Sequence, residues 1–399
     1  MLYSIVKDPT ESASDLNHDL DLIQKWAFQW KMEFNPDPLK QATEMIFSCK
    51  KKKPDHPPIY FNGIKVVSES LQKHLGLVLT TSLSFTKHVY EKIKKANKHI
   101  GIIRKLSAYL PFQTLNQMYK TFVRSQLDYC DIIYHQAAKI TREGQVLTTL
   151  MDEVERVQYR GALAVTGCWK GSNRSKLYDE LGWESLSDRR KKQRLVLFYK
   201  IVNNLTQSYL RDKLPPLYNP FAAVASFIYR EFRIKTERFR NTFFPDTVNH
   251  WNAVISDFSD MPTLEEFRSH LHALYRPSPK ETYGIHDPEG LKHLFQLRVG
   301  LSPLRYHKHR HNFLDTPSDT CLCNTGKETV EHFLFKCPFY TSKRLALAQT
   351  VVPLLIHHNL AFLQNDVNLY LYGHRRLKDD NRTILLQTIK FIKSTNRFT

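Results

Sequence analysis

Glycine is scarce in this chain of 399 residues, which contains only 13, and neither a P-loop nor a G-x-G-x-x-G run is present. Nucleotide-binding folds of those two kinds need glycines so that the backbone can approach a phosphate closely, and both are therefore excluded. No stretch approaches 18 consecutive apolar residues, and the apolar run at the start is too short for a signal peptide. We expect no membrane partner.

Cysteine is also sparse, with six residues in the whole chain. Cys49, Cys130 and Cys168 stand isolated within ordinary segments. A disulfide framework requires a denser and more regular set of cysteines than this. We therefore expect an intracellular, reducing compartment, either the nucleus or the cytoplasm.

Acidic residues are few compared with basic ones: 39 Asp and Glu against 58 Lys and Arg, a net charge of +19. This excess predicts a polyanionic partner, most simply nucleic acid, although a diffuse solvated basic surface is the alternative. One basic cluster is Lys50–Lys53. The candidate nucleic-acid contacts are Lys94, Lys95, Lys98, Arg189, Arg190, Lys191, Lys192, Arg238 and Arg240.

Three of the six cysteines lie within 17 residues near the C-terminus, in the pattern C-x-C-x8-H-x4-C. Three thiolates and one imidazole are the ligands that a tetrahedral structural Zn²⁺ site uses. The first pair is C-x-C, tighter than the usual C-x-x-C, so accidental clustering is the alternative. The predicted ligands are Cys321, Cys323, His332 and Cys337. His307, His309 and His311 alternate nearby and could supply a substitute ligand.

The order of elements predicts an α+β protein that is mostly helical. Asn62-Gly63 is the strongest hairpin signal, because both turn positions tolerate positive φ. Apolar residues recur at helical spacing through 84–135 and again through 150–215. We also expect a short strand over Leu2–Val6 and a strand-like run over Arg233–Arg240 with one basic side.

Several segments, taken in order, resemble the reverse transcriptases of non-LTR (LINE-type) retrotransposons, particularly the jockey-like and X-element group. Leu2-Tyr3-Ser4 is similar to the residues that follow the family's Phe/Tyr-Ala-Asp-Asp box, and Lys73-His74-Leu75-Gly76 is similar to its primer-grip strand. Met118–Tyr129 resembles a thumb-helix signature. The remaining similar segments are Trp26–Lys40, Leu181–Leu186 with Arg189-Arg190, Asn241–Asn252, Leu297–Ser302, and the Cys/His cluster with Glu328 and Glu331.

This resemblance covers nearly the whole chain and implies five regions. They are a palm remnant with a small antiparallel sheet and a primer-grip-like region (1–83), thumb-like helices (84–140), a helical connector (141–276), a zinc-knuckle module (277–345) and a helical tail (346–399). It also implies a structural Zn²⁺ in the knuckle and backbone contacts to RNA, DNA or an RNA–DNA hybrid.

The family's catalytic aspartates have no counterpart in this sequence. Polymerases of this type use palm carboxylates to hold two metal ions. The family's two-Asp box would lie before Met1, so we expect no Mg²⁺ site and no polymerase activity in this chain alone. We expect a nucleic-acid-binding C-terminal fragment. One alternative is part of an active enzyme whose N-terminal half is missing from this sequence and is supplied by splicing, readthrough or a partner chain. The others are a zinc-dependent interaction scaffold and a non-functional pseudogene product.

Overall fold

The structure is a computed structural model that describes residues 2–35, 42–48, 55–134, 139–140, 146–147, 149–218, 227–240, 242–275 and 280–398. The chain forms two compact units, Met1–Glu91 and Lys92–Thr399. The described part is mostly helical with small sheets, in agreement with the predicted α+β class. No helix in these ranges is both long and apolar enough to cross a bilayer.

The first unit contains helix α1 and six short strands. Its elements are α1 (Pro9–Gln29), β1 (Thr43–Glu44), β2 (Tyr60–Phe61), β3 (Ile64–Lys65), β4 (Val67–Ser68), β5 (Leu71–His74) and β6 (Leu77–Thr80). The pairs β2–β3 and β5–β6 are antiparallel, whereas β1 and β4 pair in parallel. The predicted hairpin at Asn62-Gly63 is confirmed, and both turn residues have positive φ.

A small apolar core holds the first unit together. Ile59, Phe61 and Val66 are buried, and Leu16 and Leu20 of α1 pack against them. Asp8 caps α1 by accepting hydrogen bonds from the first-turn amides of Thr10 and Glu11, which satisfies donors that have no partner inside the helix. The hairpin therefore gains its stability by covering one face of α1.

The second unit is a helical assembly that begins within α2. Its helices are α2 (Thr86–Leu106, which starts in the first unit), α3 (Phe112–Met118), α4 (Ser125–Asp128), α5 (Asp131–Tyr134), α6 (Leu150–Thr166), α7 (Arg174–Leu181), α8 (Leu186–Val202), α9 (Ser208–Arg211), α10 (Glu237–Arg240), α11 (Phe243–Ile255), α12 (Leu264–Tyr275), α13 (Pro288–Val299), α14 (Arg305–Arg310), α15 (Thr341–His357), α16 (Val367–Tyr372) and α17 (Asp380–Ser394). Tyr119–Arg124 and His332–Lys336 are π-helical. A short antiparallel pair, β7 (Lys139–Ile140) and β8 (Val146–Leu147), lies between α5 and α6.

Helix α8 occupies the centre of an aromatic core. Phe198 on this helix lies 5.0 Å from Trp251 of α11, ring centre to ring centre, and Trp251 lies 5.5 Å from Phe267 of α12. All three side chains are buried. Since aromatic rings contribute the largest apolar areas in a core, these contacts fix α11 and α12 against α8.

Two expected strands are not formed. Residues 2–6 have no regular secondary structure, and Tyr3 and Ile5 are 76% and 82% exposed. Residues 231–236 are likewise irregular, and Glu237–Arg240 form a turn of helix. A strand needs a neighbour to satisfy its backbone groups, and alternation of residue types does not supply one.

Candidate metal centre and basic surfaces

Cys321 and Cys323 lie on a tight turn that is closed by a β-bridge between Thr320 and Lys327. The amide of Cys321 donates to the carbonyl of Gly326 at 2.8 Å, and the amide of Asn324 donates to the carbonyl of Cys321 at 2.9 Å. Asn324 has a φ of 59°, a conformation that asparagine adopts more readily than most residues. The chain therefore reverses its direction around Cys321 and Cys323.

His332 and Cys337 stand at the two ends of a π-helical turn, His332–Lys336. The amide of Cys337 donates to the carbonyl of His332, five residues earlier, at 2.8 Å. In a regular α-helix, residues five apart point about 140° away from each other. The wider turn, with its i to i+5 hydrogen bond, brings the last two candidate ligands to one side.

The ligand atoms of the four predicted residues lie close together. Their ligand atoms all lie within 4.8 Å of one another. The Sγ atoms of Cys321 and Cys337 are 3.8 Å apart, and Cys323 Sγ is 3.2 Å from Nε2 of His332. Two thiolates bound to tetrahedral zinc at about 2.3 Å are about 3.8 Å apart. The cluster could therefore hold a metal ion, and its donor set is consistent with structural zinc.

The protonation of the three thiols differs because their surroundings differ. Burial raises the pKa of Cys321 to about 12 and also raises the pKa of Cys337. At Cys323, burial is outweighed by hydrogen bonds from Thr325 and His332, which help to lower its pKa to about 6. A metal binds thiolates, so its binding would release protons from the two buried thiols.

A buried carboxylate ties this cluster to the end of the chain. Glu328 is 2% exposed, and its two oxygens accept hydrogen bonds from Nε and Nη2 of Arg397, each at 2.8 Å. It also accepts the amide of Arg305 at 2.6 Å. Arg344 donates to the carbonyls of Leu334 and Cys337. The sequence places Glu328 within the Cys/His motif but does not indicate that Arg305 and Arg397 are its partners.

The neighbouring histidines do not join the cluster. His307 is buried, its Nδ1 lies 2.8 Å from the hydroxyl of Ser302, and burial lowers its pKa to about 4. His309 and His311 are exposed. Across the described residues, the group of His, Cys, Asp or Glu side chains that meets the geometry of a metal site contains Cys321, Cys323, His332 and Cys337.

The lysines predicted on α2 lie together and face solvent. Lys94, Lys95 and Lys98 are exposed, whereas Ile93 and Ala96 beside them are buried. At about 100° per residue, the three lysines fall within an arc of about 100°. They form a continuous basic surface, which is hereafter called the α2 lysine face.

The basic run at the start of α8 is divided between two faces. Arg189 forms an ion pair with Asp128 at 2.6 Å, and Lys192 forms one with Glu184. Arg190 is 1% exposed, and its Nε and Nη2 atoms have no hydrogen-bond partner among the described residues. Lys191 lies near Asp188. Because Arg190 and Lys192 are buried and the other two lie beside carboxylates, this run does not form one surface patch.

The remaining basic candidates are Arg238, Arg240 and the cluster Lys50–Lys53. Arg240 is exposed at the end of α10. The side chain of Arg238 and the cluster Lys50–Lys53 lie outside the described residues.

The chain is similar to the protein named "Probable RNA-directed DNA polymerase from transposon X-element" of Drosophila melanogaster. The two are 23% identical over 150 residues, which is 37% of this chain and 15% of the fly protein. The similarity supports a relation to the reverse transcriptases of non-LTR retrotransposons. No protein-family profile matches the chain, and no solved structure matches it.

Proposed function

We propose that this chain is a nucleic-acid-binding C-terminal part of a non-LTR retrotransposon RNA-directed DNA polymerase. The observation that carries the proposal is the similarity to the X-element polymerase. The net charge of +19 supports it, because a polyanionic template would offset that charge. In this proposal residues 1–83 correspond to the end of a palm and its primer grip, 84–140 to a thumb, 141–276 to a connector, and 277–345 to a zinc knuckle that precedes the tail 346–399.

The proposed knuckle holds one structural Zn²⁺ through Cys321, Cys323, His332 and Cys337. Two of the cysteines and the histidine are buried, and the ligand atoms are close enough to share one ion. A tetrahedral site with four protein ligands leaves no open position for substrate, so the metal would stabilise the fold. Its role would be to fix the knuckle on which any nucleic-acid contacts of this region depend.

The proposed duplex contact is the α2 lysine face. Lysine side chains that neutralise phosphates release counterions, and the logarithm of the binding constant then falls by about 0.9 per contact for each tenfold rise in salt. Backbone contacts do not read bases, so binding should be tolerant of sequence. We expect the protein to bind an RNA–DNA hybrid with a steep dependence on salt.

The test replaces Lys94, Lys95 and Lys98 together by Glu. Binding of a labelled RNA–DNA hybrid is measured by fluorescence anisotropy at several salt concentrations. We expect weaker binding and a salt slope smaller by about 2.7 if all three lysines contact phosphates. The matched control is Lys213→Glu, Arg382→Glu and Lys390→Glu, which reverses three exposed charges elsewhere. Equal affinity for the wild type and the α2 variant, or equal losses in both triple variants, would refute this contact.

A further inference from the structure

Helix α8 separates two clefts of opposite charge. The larger one has a volume of about 1090 Å³, and its basic lining residues include Arg174, Arg190 and Lys191. Six carboxylates line it: Asp152, Glu155, Asp179, Glu184, Asp188 and Asp246. The smaller one, of about 410 Å³, lies between α8 and α12 on the other face. It is called the α8–α12 groove below.

The α8–α12 groove is lined by basic residues from both helices, and no carboxylate among the described residues lines it. Its basic residues are Arg189, Lys192 and Lys200 from α8, and Arg268 and His272 from α12. Arg268 and His272 are one helical turn apart, so both face the same side of α12. The carboxylates that line these two clefts all belong to the larger one. This segregation indicates a site for an anion.

Two of these basic residues form ion pairs within the protein. Arg189 is held by Asp128, and Lys192 by Glu184. Within the described part of the chain, no carboxylate pairs with Lys200 or Arg268. Arg268 and His272 are exposed, and Lys200 is half-buried. These three residues therefore form a rim that is available to phosphates.

The floor of the groove is apolar. Ile132, Val196 and Leu197 are half-buried, and Leu271 is buried. In a duplex the faces of the bases are stacked on one another and cannot rest on this floor. A single strand presents flat, weakly polar bases together with a charged backbone, and grooves that bind such strands combine cations with surfaces on which the bases rest.

We propose that the α8–α12 groove binds a single-stranded segment of RNA or DNA, with phosphates at Lys200, Arg268 and His272 and bases over the apolar floor. The proposal rests on the proposed function, because it adds a second contact for the same nucleic acid. It differs from the α2 lysine face in the form of nucleic acid that it takes. A polymerase that holds a hybrid also holds an unpaired template, and this groove would hold such a strand.

The test is a charge-reversed variant of the rim, Lys200→Glu with Arg268→Glu, compared with wild type. Its matched control is Arg382→Glu with Lys390→Glu, two exposed positions on α17. The probes are a labelled 12-nucleotide RNA of mixed sequence and the RNA–DNA hybrid of the same sequence. Each lost phosphate contact lowers the salt slope of single-strand binding by about 0.7. Two lost contacts lower it by about 1.4, which weakens binding about 25-fold at 0.1 M salt relative to a 1 M reference.

We expect the rim variant to bind the single strand about 25-fold more weakly, with a slope smaller by about 1.4, and the hybrid within threefold of wild type. Single-strand binding within threefold of wild type would overturn the groove. Equal losses on strand and hybrid, or competition by polyglutamate as strong as by unlabelled RNA, would overturn it too. If the rim variant fails to fold by circular dichroism, the pair Lys200→Gln and Arg268→Gln replaces it.

The two proposals fail in different ways. If the wild-type protein binds neither probe, the proposed function fails and the groove with it. If the triple variant of the α2 lysine face loses the hybrid while the rim variant keeps the single strand, only the groove fails.

Discussion

Replacing Glu328 by Gln should loosen the cysteine and histidine cluster. The substituted amide would keep the shape of the side chain and could still accept the amide of Arg305, but it would remove the charge that faces Arg397. In the native protein the two Arg397 nitrogens each lie 2.8 Å from the carboxylate of Glu328. This pair joins the loop between the candidate ligands to the end of the chain, across 69 residues of sequence.

The exposure of the two partners sets the expected magnitude. Breaking a fully buried ion pair costs about 3–5 kcal/mol, because the remaining charge stays desolvated. The side chain of Glu328 is 3% exposed, but that of Arg397 is 23% exposed, so water can reach part of the guanidinium. We therefore expect a loss of about 2–3 kcal/mol in the free energy of opening this region.

The control is Glu331→Gln, three residues along the chain. Glu331 pairs with Lys336 at 2.7 Å, but their side chains are 54% and 63% exposed. Exposed pairs of this kind contribute about 0–1 kcal/mol, so this substitution should leave the opening free energy nearly unchanged.

Hydrogen exchange measured by mass spectrometry on peptides that cover 319–340 reports the opening free energy locally. Exchange in the Glu328 variant should be about 30- to 140-fold faster than in wild type, since 1.4 kcal/mol corresponds to a factor of ten. If exchange in the two variants agreed within threefold, Glu328 would not anchor the cluster.

Three further outcomes are expected. Purified protein should carry about one equivalent of zinc, and Cys337→Ser should reduce the zinc content below half an equivalent. The control Cys168→Ser replaces a buried cysteine outside the cluster and should leave the zinc content unchanged. Equal zinc content in both variants would refute the assignment. Burial raises the pKa of Asp131 to about 7, above its unfolded value near 3.8, so the charged carboxylate destabilises the fold increasingly as pH rises from about 4 to 7. Asp131→Asn should therefore gain urea stability relative to wild type across that range and level off above it, and a constant difference would contradict the shift. Primer extension on an RNA template should stay at background in Mg²⁺ or Mn²⁺, because this sequence contains no Phe/Tyr-Ala-Asp-Asp box to supply the carboxylates that a two-metal site uses. Extension that survives purification would refute this.

The clustering of the three cysteines and the histidine was predictable because its information is local. The four ligands lie within 17 residues, and their chemistry limits what they could bind. The hairpin at Asn62-Gly63 was predictable for the same reason, since two turn residues decide it. The helical content followed from the spacing of apolar residues, which the buried face of α2 reproduces.

The features that the sequence did not predict depend on distant partners. Nothing near Glu328 indicates that Arg397 will reach it, because Arg397 follows α17, which packs against α15. The α8–α12 groove likewise needs two helices separated by more than 60 residues. The basic run at the start of α8 is continuous in sequence, yet helical rotation divides it between two faces. Local sequence patterns indicate helical periodicity and the type of ligand, whereas contacts between residues distant in sequence are fixed only by packing.

The π-helical turn from His332 to Lys336 has a consequence for how this segment can change in length. Removing one residue between His332 and Cys337 would allow the segment to relax into an ordinary α-helix, in which an i to i+4 bond replaces the wide turn. The imidazole and the last thiol would then remain about one turn apart, at a different angle and distance from the C-x-C turn. Side-chain replacements at Phe333 to Lys336 leave the backbone length intact, but a single-codon deletion changes the spacing itself. We therefore expect the cluster to tolerate substitution of the exposed Lys336 far better than its deletion.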